Sequence, residues 1–344
     1  MASLENNGVS GGMWNTSGTL NNESSINLTN EEYENNVIPT DYKLVAFVLI
    51  AMIGIVGNAV VIFVIVRSVS MRKKFTNILI LNQSCIDLAT SLVLMLAKTL
   101  PISRTNLSGL GGEILCRVWL NEMPMWSLIV SSSYSLMAIT FERYLGIVHP
   151  LLHYTSFTKR HVVLLAIAAW SSGPILMLCF MVPTSVIVNG RCFSMAVYDS
   201  PLWQQVRGVL LFFFEYLIPI TVFIIGYCRM LLYLRSQVQP ESTANGLESS
   251  APSARAKRNV LKTLLLVVVA YLLCNSFNQI TFLAYNFGGA RLNVSSYYYN
   301  FTVIAMFSNC CINPFVYALQ YRPYQNELRK VFCCRGGTVD VGSF

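Results

Sequence analysis

The sequence predicts an all-α protein, a seven-transmembrane helix bundle followed by a short amphipathic helix on the membrane surface, and three observations carry that expectation. Of 344 residues, 54% are hydrophobic and 12% are charged, about half the roughly 25% of charged residues that a soluble domain carries. The mean hydropathy of +0.53 excludes a solvated globule and a disordered chain alike. The apolar residues gather into seven blocks, approximately 43–66, 76–100, 114–141, 162–183, 203–234, 260–287 and 297–319, and about 20 apolar residues suffice to cross ~30 Å of hydrocarbon as a helix. The net charge of +8 lies between these blocks. No basic domain with interleaved aromatics is present, so nucleic acid is not an expected partner.

The expected domains are an extracellular glycosylated tail (1–42), the bundle (43–320), and a membrane-surface helix with a cytoplasmic tail (321–344). The tail is polar, rich in Asn, Ser and Thr, and acidic through Glu5, Glu23, Glu31, Glu32, Glu34 and Asp41. It reads as disordered and lacks the charged start and apolar run of a cleavable signal peptide. With the N-terminus outside, 17 of the 24 Lys and Arg residues fall on the cytoplasmic side and 7 outside, as positively charged inner loops require. The same orientation puts the glycosylation sequons at Asn15, Asn22, Asn27, Asn106 and Asn293 in the secretory lumen. Those at Asn82 and Asn300 fall in or beside a span, out of reach.

Several spans hold polar residues that hydrocarbon disfavours by a few kcal/mol each. Asp87 is the clearest, in the middle of the second span, where a carboxylate needs a cation, a proton or several donors. Asn58, Ser132, Asn309 and Asn313 lie at similar depth in the first, third and seventh spans. They are expected either to converge on a hydrated pocket for a small cation such as sodium or to form a polar knot that fixes helix packing. Glu142-Arg143-Tyr144 closes the third span at the cytoplasm, either as an ion pair that a partner releases or as a solvated helix end.

Cys116 and Cys192 both face the oxidising side, where a bridge is expected. Cys85, Cys179, Cys228, Cys274, Cys310 and Cys311 fall within spans and read as small apolar packing. Pro219 and Pro314 each remove a backbone hydrogen bond and kink the fifth and seventh helices. Tyr227 and Tyr317, near the cytoplasmic ends, are candidate hydroxyl partners for a rearranged Arg143; an interfacial tyrosine belt is the alternative. After Pro323, one helical face carries Tyr324, Leu328, Val331 and Phe332 beside Arg329 and Lys330, the pattern of a helix lying on the inner leaflet. Cys333 and Cys334 follow as a palmitoylation site or as an unmodified reduced pair.

Taken in order, these residues resemble the rhodopsin-like (class A) G-protein-coupled receptors over about residues 43–334. The pattern comprises Gly57-Asn58, Leu81-Asn82, Asp87-Leu88, Cys116, Glu142-Arg143-Tyr144, His149-Pro150, Trp170, Cys192, Pro219 with Tyr227, and Asn313-Pro314-Phe315-Val316-Tyr317. Tyr324 stands where the family usually has a Phe. The resemblance implies that Arg143 meets the G protein once the sixth helix swings outward, and that Asp87, Ser132, Asn309 and Asn313 line a sodium site. It also implies helix-packing or hinge roles for Asn58, Trp170, Pro219 and Pro314.

The departures are specific. Where the sixth span usually reads Cys-Trp-X-Pro, this chain has Cys274-Asn275-Ser276-Phe277, without the aromatic toggle and without the proline kink. Tyr271 represents the usual aromatic nearby, Ser133 replaces a commonly apolar partner, and Lys257 stands where relatives place an acid to hold Arg143. The stretch from Cys116 to Arg143 is about two residues longer than in the family and contains Pro124, so a local bulge or kink is expected there.

No Lys lies in 297–319 to form a Schiff base, so a photoreceptor is not expected. Met123 and Met125 occupy the places where amine receptors have an Asp, with Glu122 adjacent. Glu122, Trp126, Glu215, Tyr285 and Tyr299 are candidate ligand residues, together with Tyr297 and Tyr298, and acids among aromatics suit a basic peptide. A tyrosine belt and an intrabundle pair for Glu215 are the alternatives. The chain shows no internal repeat of the transporter kind. The three histidines, His149, His153 and His161, have no third ligand nearby for a metal, and no phosphate-cradling loop suggests an enzyme. The expected function is transduction of an extracellular ligand, a peptide first and a small molecule or amine second, to a heterotrimeric G protein at the plasma membrane. Arrestin and membrane lipids are further expected partners, and an allosteric sodium ion is the one expected bound ion.

Overall fold

The structure is a computed structural model and describes residues 40–100, 102, 105–193, 200–236, 251–288 and 296–332, with the backbone alone at 40, 41, 251–260 and 332. The sequons at Asn15, Asn22, Asn27 and Asn293 and the Cys333–Cys334 pair lie outside the described residues, as does the side chain of Lys257.

Helix α1 spans Thr40–Arg67 and closes on a cation in its last turn, where the helix dipole favours one. Helix α2, Phe75–Thr99, stops at Leu100 because the following Pro101 forbids helical backbone in the residue before it. Helix α3 spans Met123–Val148, and α4, Lys159–Phe180, opens on a capping box between Thr158 and His161. Helix α5, Pro201–Ser236, starts from a Ser200 cap with Pro at its first position. Helix α6 is Ala251–Asn286, α7 is Tyr297–Gln320 and α8 is Arg322–Phe332.

Six described helices, α1, α2, α4, α5, α6 and α7, are long and apolar enough to cross a membrane. Their outward faces carry Leu49, Val56, Val163, Leu164, Ile224 and Ile280 exposed, the reverse of a soluble surface. Helix α3 is as long but less apolar, since Ser127, Ser131, Ser132, Ser133 and Ser135 are all buried along it. It packs against α2, α4 and α5, and Ser131, Ser132 and Ser135 hydrogen-bond to Trp170, Asp87 and Asn82 of those neighbours rather than meeting lipid. Gly173 lets α4 approach it: a Cβ there would lie 1.8 Å from the Ser127 carbonyl oxygen.

Two local differences from the sequence expectation stand at the same end of the bundle. The third apolar block is not one continuous helix. Gly109–Ile114 runs into a π-helical turn, Leu115–Leu120, and the chain re-enters helix through Glu122, which holds left-handed backbone at φ 57°, before Pro124. The π-turn and the left-handed Glu122 form a local bulge in the stretch where the sequence leads one to expect it. Second, the bundle is not purely helical: Val186–Val188 pairs antiparallel with Arg191–Phe193. Asn189 and Gly190 both have positive φ between the strands, as a two-residue hairpin turn requires, and the Asn-Gly dipeptide was its legible signal.

A disulfide joins Cys116 to Cys192, tying this hairpin to the π-turn, and Leu107 donates its N–H to the Gly190 carbonyl at 2.9 Å. Removing such a bridge typically costs ~2–5 kcal/mol. Cys192→Ser is therefore expected to cut surface expression severalfold in an antibody-labelling assay, and an unchanged surface level would show that the bridge is dispensable.

Candidate functional site

The polar groups of the bundle fall into three layers, ordered along α3. Furthest from the disulfide, Glu142 is fully buried and holds the Arg143 guanidinium with both oxygens, at 2.6 Å to Nε and 2.5 Å to Nη2. Thr76 of α2 donates to the same carboxylate at 2.9 Å and His153 contacts it at 3.0 Å. His153 lies in the short helix Pro150–Ser156 and stacks on Phe157. Tyr144 instead reaches His149, at 3.3 Å. Tyr227 and Tyr317 are buried nearby, and the Tyr317 hydroxyl has no hydrogen-bond partner. A buried donor left in that state costs about 1–3 kcal/mol, so this arrangement carries a cost that a rearrangement supplying a partner removes.

In the middle layer, the Asp87 carboxylate accepts hydrogen bonds from Asn313 Nδ2 and Ser132 Oγ, each at 2.8 Å, and from Gln83 Nε2 at 3.1 and 3.2 Å. Asn309, expected in this set, makes no hydrogen bond to the carboxylate, and Gln83 is the member that the sequence reading missed. Its signal was the i,i+4 spacing to Asp87 on one helix face. The amide oxygens of Gln83, Asn309 and Asn313 are buried without partners. Asn58 of α1 donates to the Cys310 carbonyl of α7 at 2.9 Å, and Trp170 of α4 donates to Asn82 of α2 at 3.0 Å, so each makes a hydrogen bond between helices.

Towards the disulfide end lies a cavity of about 60 Å³, lined by Trp126, Met177, Met181, Arg207, Leu211, Glu215, Asn278, Gln279, Thr281, Phe282 and Tyr299. Trp126, Glu215 and Tyr299 were expected there. Glu122 and Tyr285 do not line it. Glu122 points elsewhere because Lys98 of α2 binds it at 2.5 Å while lying over the Phe47 ring. Arg207, Asn278 and Gln279 went unread, Arg207 because a cation inside a span looks like a helix end until the helix is seen to continue.

A π-helical turn, Phe213–Leu217, interrupts α5 immediately before Pro219. A π-turn and a proline leave backbone carbonyls without their usual donors, and tyrosines supply two. Tyr134 of α3 donates to the Phe214 carbonyl at 3.1 Å and Tyr271 of α6 donates to the Glu215 carbonyl at 3.1 Å. Tyr216 and Ser276 are hydrogen-bonded across the α5–α6 contact, and Gln279 donates to the Glu215 side chain at 3.0 Å. Glu215 thus touches the cavity with its carboxylate and α6 with its backbone.

A family model described as 7 transmembrane receptor (rhodopsin family) matches residues 57–317. The chain belongs to that family. Among curated proteins, the receptor is 29% identical over 300 residues to the Danio rerio galanin receptor 2b, covering 84% of this chain and 74% of that one. It is 28% identical over 298 residues to the Homo sapiens galanin receptor type 2, covering 84% and 72%. It is 27% identical over 318 residues to neuropeptide receptor 15 of Caenorhabditis elegans, covering 84% and 89%. The receptor is accordingly a multi-pass membrane protein of a non-catalytic family, and its site is read as a transducer rather than as an active centre.

Helix α8 completes the end that carries Arg143. Tyr321, just before it, donates to Asn77 of α2 at 2.6 Å, Tyr324 is buried, and Leu328 packs on the core. Arg329 and Lys330 are exposed. A hydrogen bond from Lys330 at 2.8 Å holds the Glu327 carboxyl below the usual carboxylate range.

Proposed function

We propose that the receptor is activated at the plasma membrane by an extracellular peptide and signals to heterotrimeric G proteins, with α3 as its seventh crossing and the N-terminus outside. The observation that carries this reading is the bidentate hold of Glu142 on Arg143, with the unpartnered hydroxyl of Tyr317 close to hand. The arrangement is the resting one. Moving α6 outward frees Arg143 for the G protein and lets Tyr227 and Tyr317 turn to it. The relatives' names, galanin and neuropeptide receptors, favour a peptide over the alternative of a small amine, and the Lys98–Glu122 pair removes the acid that an amine at α3 would have used.

The middle layer suits sodium. A hard cation prefers oxygen ligands, and the Asp87 carboxylate with the unpartnered amide oxygens of Gln83, Asn309 and Asn313 offers them. Ser132 would complete the set. The ion would supply positive charge between α2, α3 and α7 and so favour the resting arrangement. Asn106, exposed beside the hairpin, suits glycosylation, as Asn15, Asn22, Asn27 and Asn293 do by sequence. Helix α8 would lie on the inner leaflet, with Cys333 and Cys334 as palmitate acceptors beyond it and arrestin as a second partner at the same end.

The test is guanine-nucleotide loading of added G protein by membranes that contain the receptor, across a panel including galanin, tachykinin-like peptides and small amines. At least one peptide is expected to raise loading severalfold. Loading raised by an amine and by no peptide would sink the peptide reading.

A further inference from the structure

The chain has three histidines, His149, His153 and His161, and all of them stand at the Arg143 end of the bundle. Histidine is the side chain whose charge ordinarily changes between about pH 5 and 8. Two of the three are engaged by neutral neighbours. His149 meets the Tyr144 hydroxyl at 3.3 Å, and His161 accepts the Thr158 N–H at 3.2 Å in the capping box of α4. Among the described residues, His153 is the one that touches a charge. Its Nε2 lies 3.0 Å from Glu142 Oε1, the same oxygen that accepts from Arg143 Nη2.

A carboxylate oxygen only accepts, so a neutral His153 carries its hydrogen on Nε2 and leaves Nδ1 bare. The side chain is 22% exposed. A proton from cytosolic water can therefore add at Nδ1 without breaking the contact to Glu142. The ring stacks on Phe157, with centroids 5.2 Å apart, and meets Phe75 of α2 edge-on at 5.9 Å. The charged groups that it faces are Glu142 and Arg143 of α3. Helix α2 presents the uncharged Phe75 and Thr76, and His161 lies one ring further on, stacked on Phe157.

The Glu142 side chain is 0% exposed, and among the described residues its ion-pair partners are Arg143 and His153. While Arg143 is in place it neutralises the carboxylate, and its guanidinium repels a second cation on the shared oxygen. Once Arg143 leaves, a buried carboxylate stands without a cation, which is strongly disfavoured. A protonated His153 supplies that cation from where it already sits. We infer that His153 is a positioning residue that replaces Arg143 as the counter-ion of Glu142, so that release of Arg143 takes up one cytosolic proton at His153. This deepens the signalling reading and rests on it for the movement of Arg143. His153 then holds a proton more tightly after release than before, so acid favours the released arrangement. That bias is complete where the ring is protonated even in the resting arrangement, and it is lost as the pH rises past the point at which the released arrangement also gives up its proton.

The test is histidine titration by NMR of the purified full-length receptor in detergent, with isotope-labelled histidine and the signals assigned through His149→Gln, His153→Gln and His161→Gln. Arg143→Gln stands in for release. It is expected to raise the midpoint of His153 by roughly one pH unit or more, as loss of a nearby like charge does, and to leave His149 and His161 where they were. An unmoved or lowered His153 midpoint overturns the inference, and so does an equal rise in all three. The second readout is basal guanine-nucleotide loading at about pH 7.5 and about pH 6.5, expressed relative to His153→Gln so that the G protein's own response to pH cancels. Gln keeps an N–H donor for Glu142 but takes up no proton, so a purely structural role survives in it at either pH. The ratio is expected to rise ~3-fold on acidification, within the tenfold per pH unit that a single proton allows. His153→Lys, charged at both, should show no such rise. A flat wild-type ratio in a receptor that loads G protein overturns the inference, including where Arg143→Gln does not fold. The titration involves no G protein. A receptor that passes it yet loads no G protein with any peptide contradicts the signalling reading alone, and peptide-driven loading with an unmoved His153 midpoint contradicts the exchange alone.

Discussion

Tyr271→Phe is expected to raise ligand-independent signalling about tenfold at matched surface expression. The hydroxyl that it removes donates to the Glu215 carbonyl at 3.1 Å, inside the π-turn of α5. Without it that carbonyl is left buried and unsatisfied, at a cost of about 1–3 kcal/mol. The sign follows from where the bond exists. It is made in the arrangement described here, with α6 docked on α5, and is already lost once α6 has moved outward, so the cost falls on the resting state. A cost of ~1.4 kcal/mol is a factor of ten in a two-state equilibrium. The variant keeps the ring, which packs edge-on against Phe223 with centroids 5.3 Å apart, so core volume is unchanged. Basal G-protein activation measured beside surface labelling checks this, and an unchanged basal level would remove Tyr271 from the coupling path.

Asp87→Asn is expected to abolish the sodium sensitivity of agonist affinity. In the wild type, exchanging sodium for potassium should raise agonist affinity ~5-fold or more, the lower end of ordinary coupling between sites. The variant should show the same affinity in both salts. Its amide loses the charge that attracts the ion and presents an NH₂ group to Gln83, Ser132 and Asn313, which already donate to this position. Competition binding in the two salts, with a peptide agonist identified by the loading assay, is the measurement. Equal sodium dependence in both proteins would leave the Asp87 cluster as a packing knot.

Much of this was legible in the sequence because hydrocarbon makes polar residues conspicuous. Asp87, Asn58 and Arg143 stand out against apolar spans, and the order and spacing of these and the other motifs carried the family resemblance. Partners were harder to read. Gln83 and Gln279 are neutral amides, and nothing in a linear sequence shows that one end of each is bonded and the other is not. The fate of Glu122 depended on Lys98, 24 residues earlier, and on the left-handed backbone at Glu122 itself, between the π-turn and Pro124. The missing Trp and Pro of α6 were legible as absences, whereas the arrangement in their place required the fold. The tyrosines reach carbonyls that the π-turn of α5 and Pro219 together leave without donors, and the π-turn has no sequence signature beyond the neighbouring Pro219.

The central claim is that this bundle converts an outer ligand into release of Arg143, and heterotrimer dissociation in living cells tests it most directly. Wild type and Arg143→Ala, at matched surface expression, would be compared across a panel of Gα subunits with and without a pooled peptide library. The account predicts a peptide-dependent dissociation signal in the wild type for at least one Gα and its loss in Arg143→Ala. An equal signal in both proteins would contradict it.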